Sequence, residues 1–220
     1  MSKKKVLILG ASGLVGQQLL GRLLKDETIE SVISLVRNPM KVSHPKLYQV
    51  TTQFEKLADQ RGNFKVDVVF CCLGTTIKNA GTKSAFRRCD YYYVVEAAKL
   101  AKEYRVDHFL VISALGANPD STFFYKQIKG EMERDIYLYG PAKITIVRPS
   151  LLIGARDEKR PFEELCLKVL KPFRPFFYGP LKKYRPISAS KIAEEMIRQF
   201  KGRKKEKNND DHIEVITMVK

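Results

Sequence analysis

A chain of 220 residues, 44% hydrophobic and 29% charged, has room for one sizeable core and the composition of a globular protein. No stretch reaches the roughly 18 consecutive apolar residues of a membrane span, and the four cysteines (Cys71, Cys72, Cys89, Cys166) and three histidines (His44, His108, His212) show no metal-binding spacing. The formal charge of +16 suits polyanions in general, but much of it is peripheral, in Lys3 to Lys5 and in "KGRKKEK" (201–207).

The N-terminal "MSKKKVLILG" has only about half a dozen apolar residues before a glycine turn, too few for a signal peptide. It reads as a first buried strand, "KVLILG" (5–10). "GLVGQQLLGRLLK" follows with Leu19, Leu20, Leu23 and Leu24 at helical intervals. "SVISLV" (31–36) is a second strand, "KLYQV" (46–50) a third, and "VDVVFCCLG" (66–74) a fourth. A long helix is predicted over 84–104. "HFLVIS" (108–113) is a fifth strand, a helix surrounds Tyr125 to Tyr137, and "KITIVRP" (143–149) is a sixth strand.

Strands apolar on both faces and separated by helices indicate a parallel sheet covered on both sides. The prediction is an α/β, doubly wound, Rossmann-like sheet whose binding crevice lies at the strands' C-terminal ends. Beyond Pro149, Pro161, Pro172, Pro175, Pro180 and Pro186 interrupt short helical pieces. Residues 150–190 therefore read as an irregular C-terminal cap within a single domain of residues 1–220. "FRPFFYGP" (173–180) suggests an apolar lining. "ISASKIAEEMIRQF" (187–200) is an amphipathic helix capped by Ser188 or Ser190, 201–211 a basic, polar loop, and "HIEVITMV" (212–219) a final strand.

"GASGLVG" sets Gly10, Gly13 and Gly16 between the first strand and first helix. The backbone there must turn sharply and admit a pyrophosphate to the helix N-terminus. At the end of the second strand an NAD site places an acid for the ribose diol. This chain has Arg37, in "SLVRNP", whose guanidinium pairs with a 2′-phosphate. The expected cofactor is NADP(H).

Ser113 ends the fifth strand, Tyr125 follows 12 residues later, and Lys129 four after that. A strand-end Ser faces the crevice, and Tyr and Lys one helical turn apart present their tips to the same space. Hydride transfer to a carbonyl needs a general acid for the developing alkoxide. A phenol serves better when a nearby cation lowers its pKa. Tyr125 is thus the candidate acid/base, Lys129 its tuning cation and ribose ligand, and Ser113 the hydrogen-bond partner of the substrate oxygen. Lys126, on another side of the helix, reads as surface charge, and Gly130 as a place where the helix meets a neighbour closely. Cys71 and Cys72 read as buried packing residues. An adjacent pair does not readily form a disulfide, and reduced thiols point to a cytoplasmic protein.

"FCCLGTT", "KNAGT", "HFLVISALGA", "FFYKQIKGEMER" and "VRPSLLI" resemble the atypical short-chain dehydrogenases/reductases, and more closely the branch around the Tat-interacting oxidoreductase family. The likeness spans most of residues 5–165. It implies cofactor contacts from Ser12, Gly13, Leu14 and Val15, from Arg37 and Asn38, and from Leu73 and Gly74. It also implies contacts from Tyr125, Lys129, Leu152 and Arg160. Where the family often has an acid after the third strand, this chain has Gln53, which weakens the adenine contact there. Asp90 occupies a position often filled by Asn or Asp, and a packing or support role is expected of it.

The leading function is an NADP(H)-dependent oxidoreductase acting on a small-molecule carbonyl or alcohol. The alternative is an NADPH-binding regulator that gates a protein partner. Basic and aromatic residues are not interleaved as on a single-strand-binding face, so nucleic acid or an anionic surface is not the expected partner.

Overall fold

The computed structural model describes residues 2–150, 152–153, 187–202 and 213–218. Seven strands form one all-parallel sheet: β1 (Lys4–Leu9), β2 (Ile29–Val36), β3 (Leu47–Thr51), β4 (Val68–Cys71), β5 (His108–Ile112), β6 (Ile144–Pro149) and β9 (Ile213–Met218), in the order β3-β2-β1-β4-β5-β6-β9. The chain reverses its direction of winding between β1 and β4, the switch point at which such sheets open a crevice. Strands β7 (Leu152–Ile153) and β8 (Ile187–Ser188) make a separate parallel pair. All six strands expected before residue 150 are present, and the final predicted strand is β9.

Side-chain alternation divides the core between the two faces of the sheet. On one face Leu7, Leu9, Val69, Cys71, Phe109 and Val111 pack with α4 (Tyr93–Glu103) and α5 (Phe124–Tyr139). On the other Val6, Ile8, Val32, Phe70 and Leu110 pack with α1 (Leu14–Lys25) and α6 (Ala189–Lys201). Ser188 caps α6, its hydroxyl accepting from the Lys191 N–H at 3.4 Å.

Three elements depart from the predicted ones. A 3-10 segment, Phe54–Phe64, follows β3 and buries Phe54, Leu57 and Phe64. A short α2 (Ile77–Ala80) follows β4, capped by the Thr76 hydroxyl. The long helix predicted over 84–104 is α3 (Lys83–Arg87), a π-helical turn over Arg88–Tyr92, and α4. The wider turn carries Asp90 to a position 1% exposed. Most of the 150–190 cap, with "FRPFFYGP" and Arg160, lies outside the described residues, as does the 203–211 part of the basic loop.

Candidate functional site

Strand register brings the site's segments level. Leu9 pairs with Cys71, and Cys71 with Val111, so Gly10, Cys72 and the Ile112–Ser113 step all leave the sheet at one edge. Gly10 has φ +79°, a left-handed conformation that favours glycine. A Cβ there would lie 2.6 Å from the Cys72 carbonyl oxygen, and one on Gly16 would lie 2.1 Å from the Gly10 oxygen. The turn therefore closes on itself with no room for side chains. Gly13 caps α1 through its backbone alone, and the first turn of the helix carries no acidic residue. An uncapped, acid-free helix N-terminus behind a glycine turn fits a pyrophosphate. Ser12 is exposed beside it, Leu14 half-buried and Val15 buried.

Arg37 and Asn38 are exposed immediately beyond β2. The charges of Arg88 and Arg37 join the Tyr93 hydroxyl, the largest influence, in holding the Glu55 carboxyl below its ordinary range. Tyr93 donates to Glu55 Oε1 at 2.5 Å. Gln53 is exposed at the start of the 3-10 segment. Leu73 is buried and Gly74 exposed just past β4.

Of the three candidate catalytic groups, Ser113 directly follows β5, and Tyr125 and Lys129 stand on α5. Ser113 is 3% exposed, its N–H donates to the Val147 oxygen at 2.8 Å, and its hydroxyl has no partner among the described residues. A buried hydroxyl left without a partner is unfavourable, and an oxygen supplied by a ligand would satisfy it. Tyr125 is 40% exposed, its ring centroid 5.7 Å from that of Phe86. Burial pushes its phenol above the ordinary value, Lys129 opposes the shift, and Asp90 adds to it.

Lys129 is 3% exposed. Its ammonium lies 2.8 Å from Asp90 Oδ1. Burial works against the charge, but Asp90 and Tyr125 more than offset it, and the Lys129 pKa stays raised. The second Asp90 oxygen accepts from the Thr75 N–H at 2.9 Å. A Cβ on Gly74 would lie 3.4 Å from Asp90 Oδ1 and 3.9 Å from Lys129 Nζ. The support expected of Asp90 thus takes the form of a buried ion pair that also holds the segment after β4.

Gly130 does meet a close neighbour, though not another helix. A Cβ there would fall 2.1 Å from the Asn118 carbonyl carbon and 2.2 Å from the Pro119 nitrogen. Lys126 departs from the surface reading: it is half-buried, folded over Phe123 with its ammonium 5.2 Å from the ring centroid. The three described cysteines are inert by environment. Burial chiefly pushes the Cys71 thiol up to about 12 and Cys89 up to about 11, and holds Cys72 well above its ordinary value. Leu152 lies in β7.

Fold and site together define a dinucleotide-binding α/β protein. The chain belongs to the NAD(P)H-binding family, whose description matches residues 10–163, within the atypical short-chain dehydrogenase/reductase-like group that includes Tat-interacting proteins. It is 37% identical to protein HTATIP2 of Rattus norvegicus over 172 residues, covering 76% of this chain and 71% of that protein. It is 34% identical to protein FMP52-1, mitochondrial, of Scheffersomyces stipitis over 173 residues, covering 74% of each. Among solved structures it resembles the Bordetella bronchiseptica enzyme WbmH in complex with NAD+, with a TM-score of 0.71 and 16% identity, covering 91% of this chain and 73% of that one. The UDP-glucuronic acid 4-epimerase of Bacillus cereus in complex with NAD gives 0.70 and 16%, covering 98% and 77%. At such identities these two show the fold alone.

The comparisons overturn the cytoplasmic expectation, because the yeast relatives at 34% and 36% identity are named mitochondrial proteins. Free thiols report a reducing environment and do not say which compartment supplies it.

Proposed function

We propose that the protein is an NADP(H)-dependent oxidoreductase that interconverts a carbonyl and an alcohol through Ser113, Tyr125 and Lys129. The observation that carries this reading is the buried, unpartnered Ser113 hydroxyl, which a substrate oxygen would satisfy. The cofactor supplies hydride when bound. Ser113 then donates a hydrogen bond to the substrate oxygen, and Tyr125 gives its phenolic proton to that oxygen as it gains charge. Lys129 binds ribose hydroxyls and stabilises the phenolate left behind.

The loop from Gly10 through Ser12 to Gly16 receives the pyrophosphate, and Arg37 with Asn38 receives a 2′-phosphate. Leu73 and Gly74 would border the adenosine.

A second reading is that the protein binds NADPH and signals its occupancy to a protein partner without turnover. One experiment separates the two. NADPH affinity and NADPH oxidation across a panel of carbonyl compounds are measured for the native protein and for Tyr125→Phe. Turnover in the native protein that falls about 10²–10⁴-fold in the variant, with NADPH affinity retained, supports the oxidoreductase. Tight NADPH binding with no turnover on any carbonyl supports the regulator. Undiminished turnover in Tyr125→Phe rules out the acid/base role.

A further inference from the structure

We propose that the site takes carbonyl compounds bearing an anionic group, carboxylate or phosphate, which Lys83 and Lys126 receive at the mouth beside Tyr125. This rests on the oxidoreductase reading and specifies the substrate class of the same site.

Both lysines lie over rings next to Tyr125 in the chain. Phe86 stacks with both Phe124 and Tyr125 at 5.7 Å, and the Lys83 ammonium lies 5.3 Å from the Phe124 ring centroid. The Lys126 ammonium lies 5.2 Å from the ring of Phe123, which is 69% exposed. The end of Lys126 also runs along the backbone at Gly116, its Cε 3.5 Å from where a Cβ would stand. Gly116 and Phe123 belong to the segment joining Ser113 to α5. Lys126 is therefore folded back onto the loop leading out of the site.

Neither lysine pairs with a carboxylate among the described residues. The neighbouring cations do: Lys129 with Asp90, Arg87 with Glu131, Arg134 with Asp135 and Arg148 with Glu133. A contact with an aromatic face is weak at an exposed site and leaves the ammonium's hydrogen-bond donors free. The surrounding sequence does not supply the missing charge. Residues 68–89 contain Lys78, Lys83, Arg87 and Arg88 and no acid, 108–130 contain Asp120 alone against Lys126 and Lys129, and the acids that follow each stretch, Asp90 and Glu131, are taken by Lys129 and Arg87. One sign of charge lining a cleft raises the local concentration of the opposite sign.

The cofactor's own phosphates do not account for these two cations. The helix N-terminus and arginine expected to receive them lie on the β1–β2 side, whereas Lys83 and Lys126 stand on elements that follow β4 and β5. A lysine ammonium accepts carboxylate and phosphate alike as a point charge, so the anionic group is what the geometry selects.

The test is calorimetric titration of the NADP+-loaded protein with 4-carboxybenzaldehyde, 4-formylphenyl phosphate and the neutral 4-methylbenzaldehyde, alongside their rates of reduction by NADPH. Binding of at least one anionic aldehyde about tenfold tighter than the neutral one is expected. The preference should weaken as salt is raised and disappear in Lys83→Gln/Lys126→Gln. Whichever anionic aldehyde binds more tightly identifies the group received. NADPH affinity of the double variant reports that it is folded. Equal affinities for all three aldehydes, or a preference that survives the double substitution, would overturn the proposal. Selective binding with no reduction of any aldehyde would leave this inference standing and remove the oxidoreductase reading beneath it.

Discussion

The Lys129 ammonium and the Asp90 carboxylate lie 2.8 Å apart, 3% and 1% exposed respectively. Asp90 divides its oxygens, one to Lys129 on α5 and one to the Thr75 N–H after β4. One side chain therefore ties the candidate catalytic helix to a segment expected to border the adenosine.

Replacing Asp90 by Asn keeps the shape and removes the charge. Breaking one partner of a buried pair typically costs about 3–5 kcal/mol, because the remaining charge is left uncompensated. Asp90 also raises the Tyr125 pKa. Asp90→Asn is thus expected to lower stability to denaturant and to move the phenol-linked limb of the pH–rate profile to lower pH. A limb that stays in place would show that Asp90 does not act on the phenol.

Ser113 should show the opposite balance. Its hydroxyl is buried without a partner, so Ser113→Ala removes a group whose desolvation is uncompensated, a cost of about 1–3 kcal/mol. Stability is expected to be unchanged or higher, while turnover falls about 10²–10³-fold, as for loss of one donor to a developing oxyanion. Parallel denaturation and NADPH-oxidation measurements test both. A destabilised but fully active variant would assign Ser113 to packing alone.

Most of the sheet was legible because strands buried on both faces read as continuous apolar runs, as in "KVLILG" and "HFLVIS". The spacing of Ser113, Tyr125 and Lys129 was also legible, and the structure brings Tyr125 and Lys129 to one side of the crevice. The detail of Asp90 was not, since a regular 3.6-residue period over 84–104 has no signal for a π-turn at Arg88–Tyr92. Lys126 was misread for a different reason. Helical phase gives the direction of the Cβ, but a four-carbon stem can fold back over Phe123. The 3-10 segment 54–64 was missed because its buried Phe54, Leu57 and Phe64 keep no regular period.

Two glycines in helices should respond oppositely to the same substitution. Gly21, in α1, has nothing within 4 Å of a built Cβ, whereas at Gly130 that Cβ meets the Asn118–Pro119 backbone at about 2 Å. Gly21→Ala is expected to stabilise by about 0.5–1 kcal/mol, from lost freedom in the unfolded chain. Gly130→Ala forces α5 and the loop apart, a cost of about 1–3 kcal/mol beyond that gain. Because Lys129 precedes Gly130, NADPH affinity should fall with it. Thermal melts with and without NADPH measure both effects, and a stabilised Gly130→Ala would refute the close approach.

His108 sets a pH dependence of its own. It opens β5, is 4% exposed, and its Nε2 lies 2.8 Å from the Thr145 hydroxyl oxygen. Burial, aided by the charge of Lys143, pushes the imidazole down to about 3 from 6.5. Between those values the unfolded chain binds a proton that the folded chain refuses. The contribution to stability is therefore intact above pH 6.5 and is lost as pH falls toward about 3, at up to about 1.4 kcal/mol per pH unit. His108→Gln keeps a partner for Thr145 and cannot titrate. Carboxylates that titrate in the same range, such as Asp67 and Asp135, are common to both proteins and cancel in the difference. Denaturation free energies between pH 6.5 and 4.5 should fall less steeply for the variant than for the native protein, and equal slopes would mean that His108 takes up its proton without unfolding.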